Sequence, residues 1–239
     1  MADAASSTQK DRILSHGAHE IRTPLTVILG YVRMLMSERL GATTEAQQKA
    51  FGEIQKTASK LKEIADEMTD LGKLLAGGTT FTRTHVDLGG LIDAAMASLA
   101  PPDREVSVRF VNDARGATVD ADAALLQKAL GAIIHSLRRE LVTSEELCVA
   151  LDRMTHEGRP MARVTIGGAD RIEDLRRVAP SALAPFVEVR GGVGLTLFIA
   201  RQVIEAHGGQ ILSRVELKED PTLAPMVLGA VLLLPVVER

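Results

Sequence analysis

The chain has 239 residues, of which 46% are apolar and 25% charged, with a formal charge of −3 at pH 7. That length is enough for a small domain and a medium one, and the charge gives no basis for nucleic-acid binding. A single cysteine, Cys148, excludes an internal disulfide and fits a reducing compartment.

In chain order, MADAASSTQ at 1–9 is small and polar and is expected to fray. Leu14, Ala18, Ile21, Leu25, Ile28, Val32 and Leu35 then step by four and three alternately, which predicts a coiled-coil-like helix. RLGATTEA, 39–46, interrupts it, and Thr44 is placed to cap a second helix. That helix carries Ala50, Ile54, Thr57, Leu61, Ile64, Met68, Leu71 and Leu75 at nearly the same spacing, and AGGTTF, 76–81, ends it as a linker. Two helices with one stripe each make a thin core. Pairing of two such hairpins into a four-helix bundle buries both stripes, so a homodimer is expected. The alternative is a monomer whose second domain covers the stripe.

From residue 82 the pattern is mixed. VDLGGLIDAAMASL, 86–99, reads as a helix, and EVSVRFV, 105–111, alternates as a strand. ADAALLQKALGAIIHSLRRE, 121–140, is helical, ELCVALDR and MARVTIGG are strands, and GLTLFIARQVIEAHGG, 194–209, is a helix closed by two glycines. QILSRVEL, 210–217, and MVLGAVLLLPVV, 226–237, supply the last strands. The final run contains Pro235 and is too short for a membrane helix. The fold class is α+β: a helical hairpin, 10–77, then an α/β sandwich, 82–239, with one mostly antiparallel sheet and helices on one face. No signal peptide is recognised. The expectation is a cytoplasmic protein without direct membrane insertion, receiving its input from a soluble protein or an upstream sensor.

The stretch HEIRTPLT, 19–26, is the most specific in the chain. At ~100° per residue, His19 lies roughly 130° from the centre of the apolar stripe, and Thr23 shares its face one turn on. A solvent-exposed imidazole, with its ordinary pKa near ~6.5, offers a nucleophilic nitrogen near neutral pH. Glu20 is placed to take a hydrogen bond from the other ring nitrogen, and Thr23 to hold a water or phosphoryl oxygen. Pro24 removes a backbone donor and should loosen the helix. On spacing alone, an ordinary exposed histidine is the competing reading.

The residues SHGAHEIRTPLTVILGY, 15–31, resemble the phosphoacceptor box of bacterial two-component sensor histidine kinases, matched at His19, Glu20, Arg22, Thr23, Pro24, Leu25 and Thr26. The resemblance implies a dimeric bundle whose His19 receives the γ-phosphoryl group of ATP and passes it to an aspartate of a response-regulator receiver domain. It implies that Glu20 acts in transfer to the histidine and Thr23 in dephosphorylating the regulator.

The same resemblance covers the second domain, as the family's ATP-binding domain. Its paired asparagines, one a Mg²⁺ ligand, fall on Gly131 and His135. Glycine offers no side chain, and Mg²⁺ prefers oxygen to the imidazole of His135, the remaining candidate metal ligand. Arg138 stands where a phosphate-binding cation often sits, and also reads as a solvated helix residue. In VTIGGADRI, 164–172, Gly167 takes the place of the base-recognising aspartate. GGVGLTLF, 191–198, keeps Gly192, Gly194, Leu195 and Leu197 of a glycine box, either as a phosphate cradle or as a fold element. APFVEV, 184–189, resembles the family's phenylalanine box, with Phe186 a packing anchor.

Three functions follow. The first is a histidine kinase that autophosphorylates on His19 with ATP and Mg²⁺. The second is a kinase-derived phosphotransfer protein that needs no cofactor. The third is a pseudokinase that docks or regulates a response regulator without chemistry.

Overall fold

The computed structural model describes residues 2–99, 106–140, 144–186, 195–216 and 226–237. The chain divides into two compact units, residues 1–80 and 81–239.

The first unit is a helical hairpin, α1 (Ala2–Met36) and α2 (Glu45–Leu75). Helix α1 starts at Ala2, so the segment expected to fray forms its first turns, and Pro24 sits within it without ending it. Thr44 caps α2 in a reciprocal capping box: its hydroxyl accepts from the Gln47 N–H and its own N–H donates to Gln47 Oε1.

The seam between the helices differs from the predicted stripe. Ala18, Leu25, Leu29 and Val32 of α1 are buried, facing a strip of small residues on α2, Ala58, Ala65 and Gly72, with Leu71 beside it. Small side chains let the two axes approach closely. Much of the predicted stripe stays outside: Ile21, Ile28, Ile54, Leu61 and Leu75 are each more than two-fifths exposed. The hairpin thus has two apolar faces, one satisfied within the chain and one open.

The second unit contains β1 (Thr84–Asp87), α3 (Leu88–Ala97), β2 (Ser107–Asn112), β3 (Thr118–Ala121), α4 (Ala123–Glu140), β4 (Glu146–His156) and β5 (Arg159–Gly168). It continues with α5 (Ile172–Arg177), β6 (Ala184–Pro185), α6 (Thr196–Ala206), β7 (Gln210–Glu216) and β8 (Met226–Pro235). Six strands form one sheet in the order β2-β4-β5-β8-β7-β6, and β1 pairs with β3 in a separate two-stranded ribbon. All pairs of the large sheet are antiparallel except β2–β4, which is parallel.

Strand parity sorts the sheet into two faces. Leu147, Val149, Leu151, Val164, Ile166, Ala230, Leu232 and Leu234 share one face and are buried. Helix α4 packs on β4 and β5 there, bringing Leu126, Leu130, Ile133 and Ile134, all fully buried. Helix α6 joins through Ile204, which with Leu234 crowds the space a Cβ would take at Gly209. Burying each such side chain stabilises the fold by about 1.5–3 kcal/mol.

Helix α5 lies on the opposite face, whereas the pattern placed all helices on one. Ile172 clusters with Cys148 and Ala150, and Leu175 fills the space over Gly229, where a Cβ would come within 2.6 Å of its Cδ1. Ion pairs fasten this crossing. Arg163 donates from Nε and Nη2 to the two oxygens of Asp152 at 2.9 and 3.0 Å, and Arg176 donates from Nε to the same carboxylate at 3.2 Å. Arg176 also reaches Asp113 at 2.6 Å.

His207 closes the start of this unit. Its Nε2 accepts from the Asp122 N–H at 2.9 Å, so Nδ1 carries the proton given to the Val203 carbonyl at 2.6 Å. Phe81 stacks edge-on against the ring at 5.3 Å. Buried and doubly bonded, His207 is a structural residue.

Candidate functional site

Helix α1 presents His19, Glu20 and Thr23 to solvent, all three exposed. The turn is held from both sides. Thr23 donates its hydroxyl to the His19 carbonyl at 3.3 Å, and Thr26 donates to the Arg22 carbonyl at 2.9 Å. These back-bonds occupy carbonyls around Pro24, where the helical ladder lacks a donor. The Thr23 proton is therefore directed at the backbone, while its oxygen lone pairs remain available to solvent. Among the described residues no hydrogen bond joins the Glu20 carboxylate to the His19 ring, as adjacent helix positions diverge by ~100°.

Arg22, roughly 60° round the helix from His19, bridges to α2. Its Nε and Nη2 both donate to Asp66 Oδ1, at 3.0 and 2.7 Å, and Nη2 also donates to Thr69 Oγ1 at 3.2 Å. Lys62 takes Asp66 Oδ2 at 3.1 Å. The Lys62 ammonium first, and the Arg22 guanidinium after it, hold the Asp66 carboxyl below its ordinary pKa. The clamp sits one turn from His19, beside the seam in which Leu25 and Leu29 of α1 meet Ala58 of α2. Sequence spacing did not reveal it, because its partners are 44 residues apart.

In the second unit, Gly131 and His135 line one cavity of about 530 Å³ along the outer face of α4, with Ala95, Ser98, Leu99, Ala124, Gln127, Lys128, Ala132 and Thr196. Arg138 is buried rather than solvated, 7% exposed, and is not among these lining residues. Leu195 is half-buried at the start of α6. Gly192 and Gly194 lie outside the described residues. Among the described residues no group of three or more His, Cys, Asp or Glu side chains is placed to hold a metal ion, so His135 has no such company.

Parity refines the expected base-contact position. Gly167 pairs with Cys148 and Gly229 and so belongs to the face covered by α5, whereas Gly168 belongs to the face covered by α4. Neither register supplies a carboxylate. Phe186 is buried, 4% exposed, as a packing anchor would be.

The exposed histidine and its turn coincide with a family match: residues 9–77 fit the model of the His Kinase A (phospho-acceptor) domain. Residues 9–77 are a His Kinase A domain. Relatives extend beyond it. The sensor protein GacS of Pseudomonas syringae pv. syringae is 27% identical over 217 residues, 86% of this chain and 23% of that protein. The circadian input-output histidine kinase CikA of Synechococcus elongatus is 24% identical over 98% of this chain and 32% of its own length. The chain thus spans between a fifth and a third of these relatives. The fold agrees with full-length ShkA crystallised with AMPPNP (TM-score 0.64, 20% identity, 96% of this chain and 47% of that one). It also agrees with the histidine kinase ThkA in complex with the response regulator TrrA (TM-score 0.50, 23% identity, 98% of this chain and 66% of that one). The domain match over 9–77 and the α/β fold that follows it make the chain similar to the catalytic cores of these histidine kinases.

Proposed function

We propose that the chain works as a two-component signalling core in which His19 takes up a phosphoryl group and hands it to an aspartate of a response-regulator receiver domain. The exposed imidazole within a His Kinase A domain carries this reading. A neutral ring nitrogen forms the P–N bond as the donor's leaving group departs, and the receiver carboxylate later attacks phosphorus and frees the ring. Glu20 and Thr23 are the neighbouring groups assigned to this chemistry, Glu20 in transfer to the histidine and Thr23 in dephosphorylation of the regulator. A homodimer through the open apolar face, a cytoplasmic location, and a soluble or upstream input protein complete the proposal.

ATP is the donor that the resemblance implies. The residues of the second unit fit a Mg²⁺-nucleotide poorly: Gly131 has no side chain, His135 offers nitrogen in place of an amide oxygen, and Gly167 and Gly168 offer no carboxylate. This favours a second reading, in which an already phosphorylated receiver domain charges His19.

One assay separates the readings. The pure protein is incubated either with Mg²⁺ and γ-labelled ATP or with phosphoramidate, and label is followed on wild type and His19→Ala. Label from ATP on His19 supports the kinase. Label from phosphoramidate alone supports phosphotransfer. No label on His19 from either donor overturns both.

A further inference from the structure

The turn that carries His19 becomes strongly negative once the ring holds a phosphoryl group. Such a group brings roughly −1.5 to −2 charge at pH 7, and Glu20 stands one position on. Between residues 14 and 26 the one side chain that stays cationic at neutral pH is that of Arg22. It is three positions from His19, a helical spacing that leaves the two Cβ atoms about 5–6 Å apart. Among the described residues the His19 ring makes no hydrogen bond or ion pair of its own.

Arg22 is held elsewhere, and the way it is held makes it exchangeable. Nε and Nη2 engage Asp66 Oδ1 and Thr69 Oγ1. Nη1 makes no hydrogen bond among the described residues, so a new acceptor can be met before the old one is left. Asp66 does not depend on Arg22, because its other oxygen, Oδ2, accepts from Lys62 at 3.1 Å. When the guanidinium leaves, that carboxylate stays paired. Thr69 keeps its own bond too, since its hydroxyl donates to the Ala65 carbonyl at 3.0 Å. The pair to be broken is exposed enough for water to replace the lost contacts. A phosphoryl dianion offers more charge and more acceptor oxygens than the single carboxylate oxygen that Arg22 holds.

We infer that Arg22 exchanges partners: it rests on Asp66 and Thr69 while His19 is bare, and turns to the phosphoryl group once His19 carries one. Asp66 and Lys62 are then positioning residues, which park the guanidinium one turn from the reacting ring and release it. The inference rests on the phosphoacceptor role proposed above for His19. Its consequence is that this bridge between α1 and α2 opens when the histidine is charged and closes when it is discharged. The hairpin thereby registers the state of its own histidine.

The test uses the full chain, treated with phosphoramidate without nucleotide, alongside His19→Ala. Mass spectrometry locates the phosphoryl group. The Arg22 Nε–H resonance, assigned with Arg22→Lys, is followed in ¹H–¹⁵N spectra, and ³¹P shifts give the pH midpoint of the phosphoryl group. Other charged or titratable groups near this turn are His16 and Glu20 on α1, and Lys62, Asp66 and Asp70, spaced one turn apart, on α2. The Nε–H signal should move on phosphorylation of wild type and stay in place in His19→Ala. Arg22→Gln should raise the ³¹P midpoint by about half a pH unit, because a neighbouring cation favours the dianion. Arg22→Lys should hold it within about two-tenths of a unit of wild type. Asp66→Asn should lower it, and in the Arg22→Gln background should lower it by less than about half as much. An unmoved Arg22 signal on protein shown to carry phosphate on His19, or equal midpoints in wild type and Arg22→Gln, would overturn this inference alone. Absence of phosphate on His19 would overturn it together with the reading it rests on.

Discussion

Two nitrogens of Arg22 on α1 reach one carboxylate oxygen of Asp66 on α2, Nε at 3.0 Å and Nη2 at 2.7 Å. The pair is a third or more exposed, 33% and 43%, so its contribution to stability is small, under about 1 kcal/mol. Its pH dependence is the sharper test. The folded-state pKa of Asp66 is lowered, so the contribution is full above the unfolded-state value and disappears as pH falls through the lowered folded-state value. Wild type should therefore lose hairpin stability in acid, and Asp66→Asn should flatten that limb. Helix signal against temperature over a pH series measures it; parallel curves for the two proteins would remove the clamp from the account.

The open face of the hairpin should be a protomer interface. Ile28→Glu with Leu61→Glu places charge on residues 43% and 46% exposed in the single chain. The double variant should run as a monomer in light scattering where wild type runs as a dimer. A monomeric wild type at tens of micromolar (roughly the range where modest interfaces hold) would contradict the assignment.

Asp152 anchors two arginines whose side chains are only 16% and 20% exposed. Removing its carboxylate takes from Arg163 its anionic partner among the described residues, while Arg176 keeps Asp113 at 2.6 Å. Asp152→Ala should cost about 2–4 kcal/mol, near the lower end of broken buried pairs, because some water still reaches the arginines. Combining it with Arg163→Met should recover part of the loss, which a double-mutant cycle in urea will read.

Gly131→Ala should stabilise the second unit by about 0.5–1 kcal/mol, since the new methyl has room and the unfolded chain loses freedom. Thermal melting compares the two directly. A lower melting temperature would mean that the backbone there needs glycine for a reason not visible in its contacts.

Periodicity and short motifs carried most of the architecture. The two long helices, α4, α6 and the long strands were legible because their apolar residues repeat at 3.6 or 2. Strands β1 and β3 were hidden: each has four residues, and their flanks read as helix. Helix α5 was hidden because its six residues bury only Ile172 and Leu175, on the face opposite the other helices. The hairpin stripe was found, but the seam that joins the two helices within one chain was not. Large aliphatic residues drew the eye, while the seam within the chain uses Ala58, Ala65 and Gly72, seven residues apart, a repeat that small side chains conceal. His19 was legible because its neighbours form a specific word in the sequence. The Arg22–Asp66 clamp was not, since nothing local ties those two positions together.

That division of labour on the hairpin has a thermodynamic consequence. Ile21, Ile28, Ile54, Leu61 and Leu75 face outward, so part of their transfer free energy is realised only when another molecule arrives. Folding of these helices is then partly a bimolecular event, and its midpoint rises with protein concentration. The α/β unit, whose core is complete within one chain, should melt at a temperature that dilution leaves alone.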